Sequence, residues 1–176
     1  WLFQGFPEGF APGEERMRQL ETYRAWCLER LDAASLDWLH RLSLRHTTSL
    51  GELAVCAVHS SPRSTEDWYP SSLSDQELER IFEGAPASDV LVYGHIHTPF
   101  LRRIHGRWLA NAGSVGNPLD GDARASYLLI EAEGGSVTLS IRRVRYDVEQ
   151  AARVAAERGF PNAEGYAEAL RAGKGF

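Results

Sequence analysis

A chain of 176 residues with 43% hydrophobic and 24% charged side chains has the size and composition of one globular domain. Its net charge of −5 excludes a general attraction to nucleic acid or to an acidic membrane surface. Cys27 and Cys56, each inside an apolar pattern, do not make a disulfide framework, and no apolar run or signal peptide directs the chain to a membrane, so the cytoplasm is the expected compartment.

The first 14 residues, rich in Gly, Pro and aromatics, read as an irregular loop ending at Pro12-Gly13. From Glu14 to Asp32 apolar residues recur at Leu20, Tyr23, Cys27 and Leu31, a helical spacing whose N-terminus suits Glu14 and Glu15. Ser35 is the expected N-cap of a second short helix with Leu36, Leu39 and Leu42 on one face. Arg45–Leu50 reads as an edge strand, turned at Gly51-Glu52 into Leu53–Val58, an unbroken apolar run of the kind covered on both faces. Residues 64–72 form a polar loop. Ser74 and Glu77 make a capping box that opens a helix through Leu78, Ile81 and Phe82 to Gly84. Ser88–Tyr93 is the second buried strand. Phe100–Ile104 and Trp108–Ala110 form a hairpin around Gly106, and Asn111–Pro118 is a turn-dense loop. Ala125–Glu131 and Ser136–Tyr146 alternate and pair through Gly134-Gly135. Val148–Arg158 and Asn162–Arg171 are amphipathic helices parted by Gly159 and Pro161. Residues 1–176 are therefore expected to form a single α/β domain with a mixed sheet, ending in a helical tail over 148–176.

Open α/β sheets collect ligands outside the carboxyl ends of their strands. His59 follows the first apolar run, and His95 and His97 follow the second, in Gly94-His95-Ile96-His97-Thr98-Pro99. If extended geometry continues past Tyr93, both imidazoles of the pair leave the same side of the chain. Two adjacent parallel strands would bring all three to one rim, a donor set suited to a divalent cation. Each of the three, taken singly, also suits a structural position. His40 falls within a helix, His46 on the edge strand and His105 in a hairpin turn, and none of these is a candidate. Asn111, Ser114 and Asn117 lie in a loop whose glycines permit backbone N–H groups to converge on an anion. Arg63 and Arg124, on neighbouring loops, are further candidates for holding a phosphate. Trp68, Tyr69 and Phe100 are candidates for a pocket that stacks a base.

These stretches resemble one family. Val58-His59-Ser60-Ser61-Pro62-Arg63 is similar to the His-Gly-Ser-Pro-Arg segment of bacterial calcineurin-like metallophosphoesterases. Gly94-His95-Ile96-His97-Thr98-Pro99 is similar to their Gly-His-Thr-His-x-Pro motif, and Asn111-Ala112-Gly113-Ser114-Val115-Gly116 to their Asn-Pro-Gly-Ser-Val-Gly loop. Asp120–Tyr127 also matches, so order and spacing agree from His59 to Tyr127. Ser60, Ile96 and Ala112 depart from the motifs. The resemblance implies a layered sandwich of mixed β-sheets flanked by helices. It implies a hydrolase of phosphomonoesters or phosphodiesters acting through a metal-bridged hydroxide. It places His59 and His95 on one metal and His97 on a second, the pair being two divalent ions from among Mn, Fe, Ni and Zn. It implies a small phosphate-ester substrate; charge and hydropathy add the expectation of no membrane and no nucleic acid as a stable partner, and the two C-terminal helices leave self-association open. The family's Asp-x-His, Gly-Asp and Gly-Asn-His-Asp motifs do not occur in the sequence, and with them go the carboxylates and the catalytic histidine. Together with Trp1 at the start, this leads to the expectation of a C-terminal portion of such a domain, without its first strands. The alternative on the same fold is a non-catalytic protein-binding scaffold with a degraded metal site.

Overall fold

The computed structural model describes residues 2–3, 13–134 and 136–176. Most of the expected opening loop, and Gly135 of the Gly134-Gly135 turn, lie outside the described residues. Helix α1 spans Glu14–Arg30, with Glu14 and Glu15 in its first turn. Helix α2 spans Ala33–His40 and is capped by Asp32, whose Oδ1 accepts from the Ser35 backbone N–H at 2.7 Å. Ser35, expected as the cap, is thus the third residue of the helix. Asp and Ser cap about equally well, and the earlier of the two sets where this helix begins. Leu42 lies beyond its end, 53% exposed.

Strands β1 (Arg45–Leu50), β2 (Leu53–Val58), β3 (Val90–Tyr93), β4 (Phe100–Ile104) and β5 (Arg107–Asn111) form one sheet in the order β1-β2-β3-β5-β4. The β1–β2 hairpin is antiparallel, as is β4–β5. Between them β2, β3 and β5 run parallel, with Cys56 beside Leu91 and Leu91 beside Leu109. These three residues are fully buried, which is why both apolar runs lack polar alternation. The parallel arrangement sets the C-terminal tips of β2, β3 and β5 side by side. Strands β6 (Ala125–Glu133) and β7 (Ser136–Val144) pair antiparallel in a second sheet.

The connection from β2 to β3 carries helix α3 (Asp75–Glu79), opened by the expected capping box. The helix tightens into a 3₁₀ turn over Arg80–Gly84 instead of continuing as α-helix. A 3₁₀ turn puts residues three apart in line, and Leu78, Ile81 and Gly84 have that spacing. Leu78 and Ile81 are fully buried, and Gly84 lies against Pro62, where a Cβ would come 2.5 Å from the proline Cβ. Cys56, Leu78, Ile81, Phe82, Leu91, Tyr93, Ile96, Ile104 and Leu109 form the core, directly beneath the strand tips. Helices α4 (Val148–Glu157) and α5 (Ala163–Ala172) follow β7. Phe160, between them, stacks on Tyr23 of α1 at 5.5 Å. Among the described residues no helix is long and apolar enough to cross a membrane.

Candidate metal centre

The parallel ladder continues one step past β2 and β3, because the Gly94 N–H donates to the His59 carbonyl at 2.9 Å. That bond fixes the two tips against each other and places His59 Nε2 3.0 Å from His95 Nδ1, with ring centroids 4.9 Å apart. With metal–nitrogen bonds of about 2.0–2.1 Å, two neighbouring imidazole ligands of one cation have their nitrogens roughly 2.8–3.4 Å apart, from octahedral to tetrahedral angles. The observed separation fits that donor pair.

The histidine pair does not continue the strand. β3 ends at Tyr93, and His95 and His97 both adopt left-handed backbone, with φ of 54° and 52°. Such φ values are strained for a residue with a Cβ and concentrate at functional sites. Two anchors account for the bend. Ile96, between the histidines, is 3% exposed and joins the core. Asn111, fully buried at the tip of β5, donates from Nδ2 to the Gly94 carbonyl and accepts the Gly113 N–H at 2.9 Å.

His97 is held separately. Its Nδ1 lies 2.8 Å from the Asn117 carbonyl oxygen. A carbonyl only accepts, so Nδ1 carries the hydrogen and Nε2 keeps its lone pair, the arrangement found for metal-binding histidines. The structure thus brings His59 and His95 into contact and orients His97 through a different loop. Among the described residues, no three His, Cys, Asp or Glu side chains gather as a ready cation cage. Loss of solvent at the rim lowers the pKa of His59, and the adjoining His95 lowers it further. The same desolvation lowers His95, helped by His97, while the Glu66 carboxylate pulls both upward. Both shifts favour the neutral ring, the form that can donate a lone pair.

Of the other five candidates, Asn111, Ser114, Arg63 and Arg124 have polar atoms engaged, while Asn117 Oδ1 is buried without a partner among the described residues. Asn111 is the clamp just described. Ser114 Oγ accepts the Asn117 N–H at 3.0 Å, folding the loop that carries the Asn117 carbonyl. Arg63 pairs with Glu83. Arg124 grips Asp122 with two nitrogens, at 3.0 Å and 2.6 Å. Of the three aromatic candidates, Tyr69 and Phe100 pack on the core, while Trp68 is 57% exposed and meets His95 edge-on at 5.6 Å. Sequence reasoning did not find the anchoring of that loop. Ser60 and Ser61 are buried, and both donate through their hydroxyls to Asp67, Ser60 to its carbonyl and Ser61 to its carboxylate at 2.6 Å. Ser60 standing where the motif has glycine was the available signal.

The sequence profile of the calcineurin-like phosphoesterase superfamily domain matches residues 30–135. An uncharacterized protein of Methanocaldococcus jannaschii, MJ0912, is 26% identical over 158 residues, which are 79% of this chain and 62% of that protein. The chain therefore spans about three-fifths of the length of this curated relative. A crystal structure of a metallophosphoesterase from Sphaerobacter thermophilus superposes with a TM-score of 0.67 at 26% identity, covering 85% of this chain and 67% of that one. The hypothetical protein PH1004 from Pyrococcus horikoshii has the same fold, with a TM-score of 0.71 at 18% identity over 84% of this chain and 57% of its own.

Proposed function

The chain belongs to the calcineurin-like phosphoesterase superfamily, and from that premise we propose that it carries the imidazole side of a metal-dependent hydrolase acting on phosphate monoesters or diesters. The observation that supports this reading is the 3.0 Å contact between His59 Nε2 and His95 Nδ1 across two parallel strand tips. His59 and His95 would hold one divalent cation and His97 Nε2 a second, with Mn, Fe, Ni or Zn suited to imidazole donors. When bound, such ions supply a water of lowered pKa and offset the charge that builds on the phosphoryl oxygens. Three neutral imidazoles bring no negative charge, so two cations held close together need carboxylates beside them. What these residues do is positional. Asn111 and Ile96 fix the bend that presents His95, and Asn117 fixes the tautomer and ring orientation of His97.

The test is metal content and hydrolysis of p-nitrophenyl phosphate and bis(p-nitrophenyl) phosphate, with added Mn²⁺. Replacing His95 with Ala is expected to remove bound cation and to lower turnover about 100-fold or more. His105→Ala, a change at a ring bonded to Glu79 instead, is expected to leave both unchanged. Undiminished metal content and turnover in His95→Ala would overturn the reading. A full-length protein that neither binds cations nor turns over substrate would favour the scaffold alternative.

A further inference from the structure

Trp68 stands out from the other aromatic residues. It is 57% exposed, and its indole lies edge-on to the His95 ring with centroids 5.6 Å apart. An exposed apolar side chain is ordinary in itself. What sets this one apart is how its backbone is fixed. On one side, the Asp67 carbonyl and carboxylate accept from the buried hydroxyls of Ser60 and Ser61. On the other, the Tyr69 carbonyl accepts from the phenol of Tyr93, which is 1% exposed. Both residues flanking Trp68 are tied to groups in the interior, and Ser60 and Ser61 immediately follow His59. The loop therefore has little freedom to withdraw the indole from the rim. It keeps an exposed indole in edge contact with the ring proposed to hold a cation.

A phosphate ester bound through its phosphoryl oxygens at the His59–His95 pair must carry its alcohol group out past the rim. Beside the His95 ring, at 5.6 Å, is an indole, which favours planar π-systems over small aliphatic groups. Resting on the phosphoesterase reading, we infer that Trp68 is the platform for the organic half of the substrate. The substrate class is then the phosphate ester of a flat aromatic alcohol or of a nucleoside, with Trp68 deciding the preference.

Phenylphosphonate and methylphosphonate have carbon–phosphorus bonds that a phosphoesterase does not hydrolyse, so their binding can be read without turnover. Each is titrated into the full chain with Zn²⁺ by calorimetry, and by the indole N–H signal of Trp68, which is assigned with Trp68→Phe. Phenylphosphonate is expected to bind about five-fold or more tightly than methylphosphonate and to shift the Trp68 signal. Trp68→Ala is expected to erase that preference while leaving methylphosphonate affinity unchanged, and Trp68→Phe to keep most of it. Equal affinities in the unaltered chain, or a preference that survives Trp68→Ala, would overturn the assignment of Trp68 alone. Failure of both phosphonates to bind would overturn the phosphoesterase reading and this inference with it.

Discussion

Two imidazole nitrogens 3.0 Å apart cannot both carry a proton, so at most one of the facing atoms on His59 and His95 is an N–H. Desolvation adds to this, and the pKa of each ring lies below the ordinary 6.5. The consequence for stability has a definite sign. As pH falls through 6.5, the unfolded chain takes up protons that the folded chain refuses. Stability is therefore full above 6.5 and declines below it, down to the lowered folded values. In the metal-free protein, ring-proton NMR titrations are expected to place both midpoints below 6.5. Urea unfolding is expected to show a larger drop in stability between pH 7.5 and 5.0 in the unaltered chain than in His95→Asn. Midpoints at or above 6.5 would contradict the desolvated pairing.

At the scale of elements, the rim is built by three strand tips: the Gly94–His59 backbone bond ties β3 to β2, and Asn111 ties β5 to β3. Its fully buried side chain donates to the Gly94 carbonyl, which also takes the Ile96 N–H, and accepts the Gly113 N–H. Asn111→Ala leaves the Gly113 N–H unpartnered and the Gly94 carbonyl with the Ile96 N–H alone. It is expected to cost about 2–4 kcal/mol in urea unfolding and to shift the His95 backbone signals away from their left-handed position. A loss under ~1 kcal/mol would mean that the clamp contributes little. Much of this architecture was legible before any coordinates. The apolar runs at Leu53–Val58 and Val90–Tyr93 read as central parallel strands because burial on both faces leaves no polar alternation. Their parallel pairing then brought His59 and His95 together, as the motif spacing implied. The left-handed bend was not legible, because the extended reading stopped at local pattern. What sets φ at His95 is a bond from Asn111, a residue on a different strand. The edge contact of Trp68 with His95 was hidden for the same reason, since it depends on hydroxyls at Ser60 and Ser61.

At the scale of the whole molecule, the chain's C-terminal end closes on the loop that serves His97. The two tail helices were readable from their spacing, but their docking was not. It depends on Phe160 meeting Tyr23 and Trp26 of α1 and Phe176, contacts no local pattern encodes. The tightest joint is at Gly173, which ends α5 with φ of 64° and accepts the Gly121 N–H on its carbonyl at 2.8 Å. A Cβ there would come within 2.6 Å of the Asp122 nitrogen and 2.7 Å of the Gly121 carbonyl carbon, both backbone atoms with no rotamer to yield. Gly106 offers the contrast, since it has φ of 87° but nothing within 4 Å of an added Cβ. Ala at Gly106 should cost only the left-handed strain, about 1–2 kcal/mol. Ala at Gly173 should cost that plus an overpacking penalty of about 1–3 kcal/mol. Residues 121–122 follow closely on Asn117, so the displacement should travel to the carbonyl that orients His97. Gly173→Ala is therefore expected to unfold at lower urea than Gly106→Ala and to shift the ring signals of His97 more than those of His59 and His95. Equal unfolding midpoints for the two variants, with an undisturbed His97 ring, would show that the tail rests on this loop without bracing it.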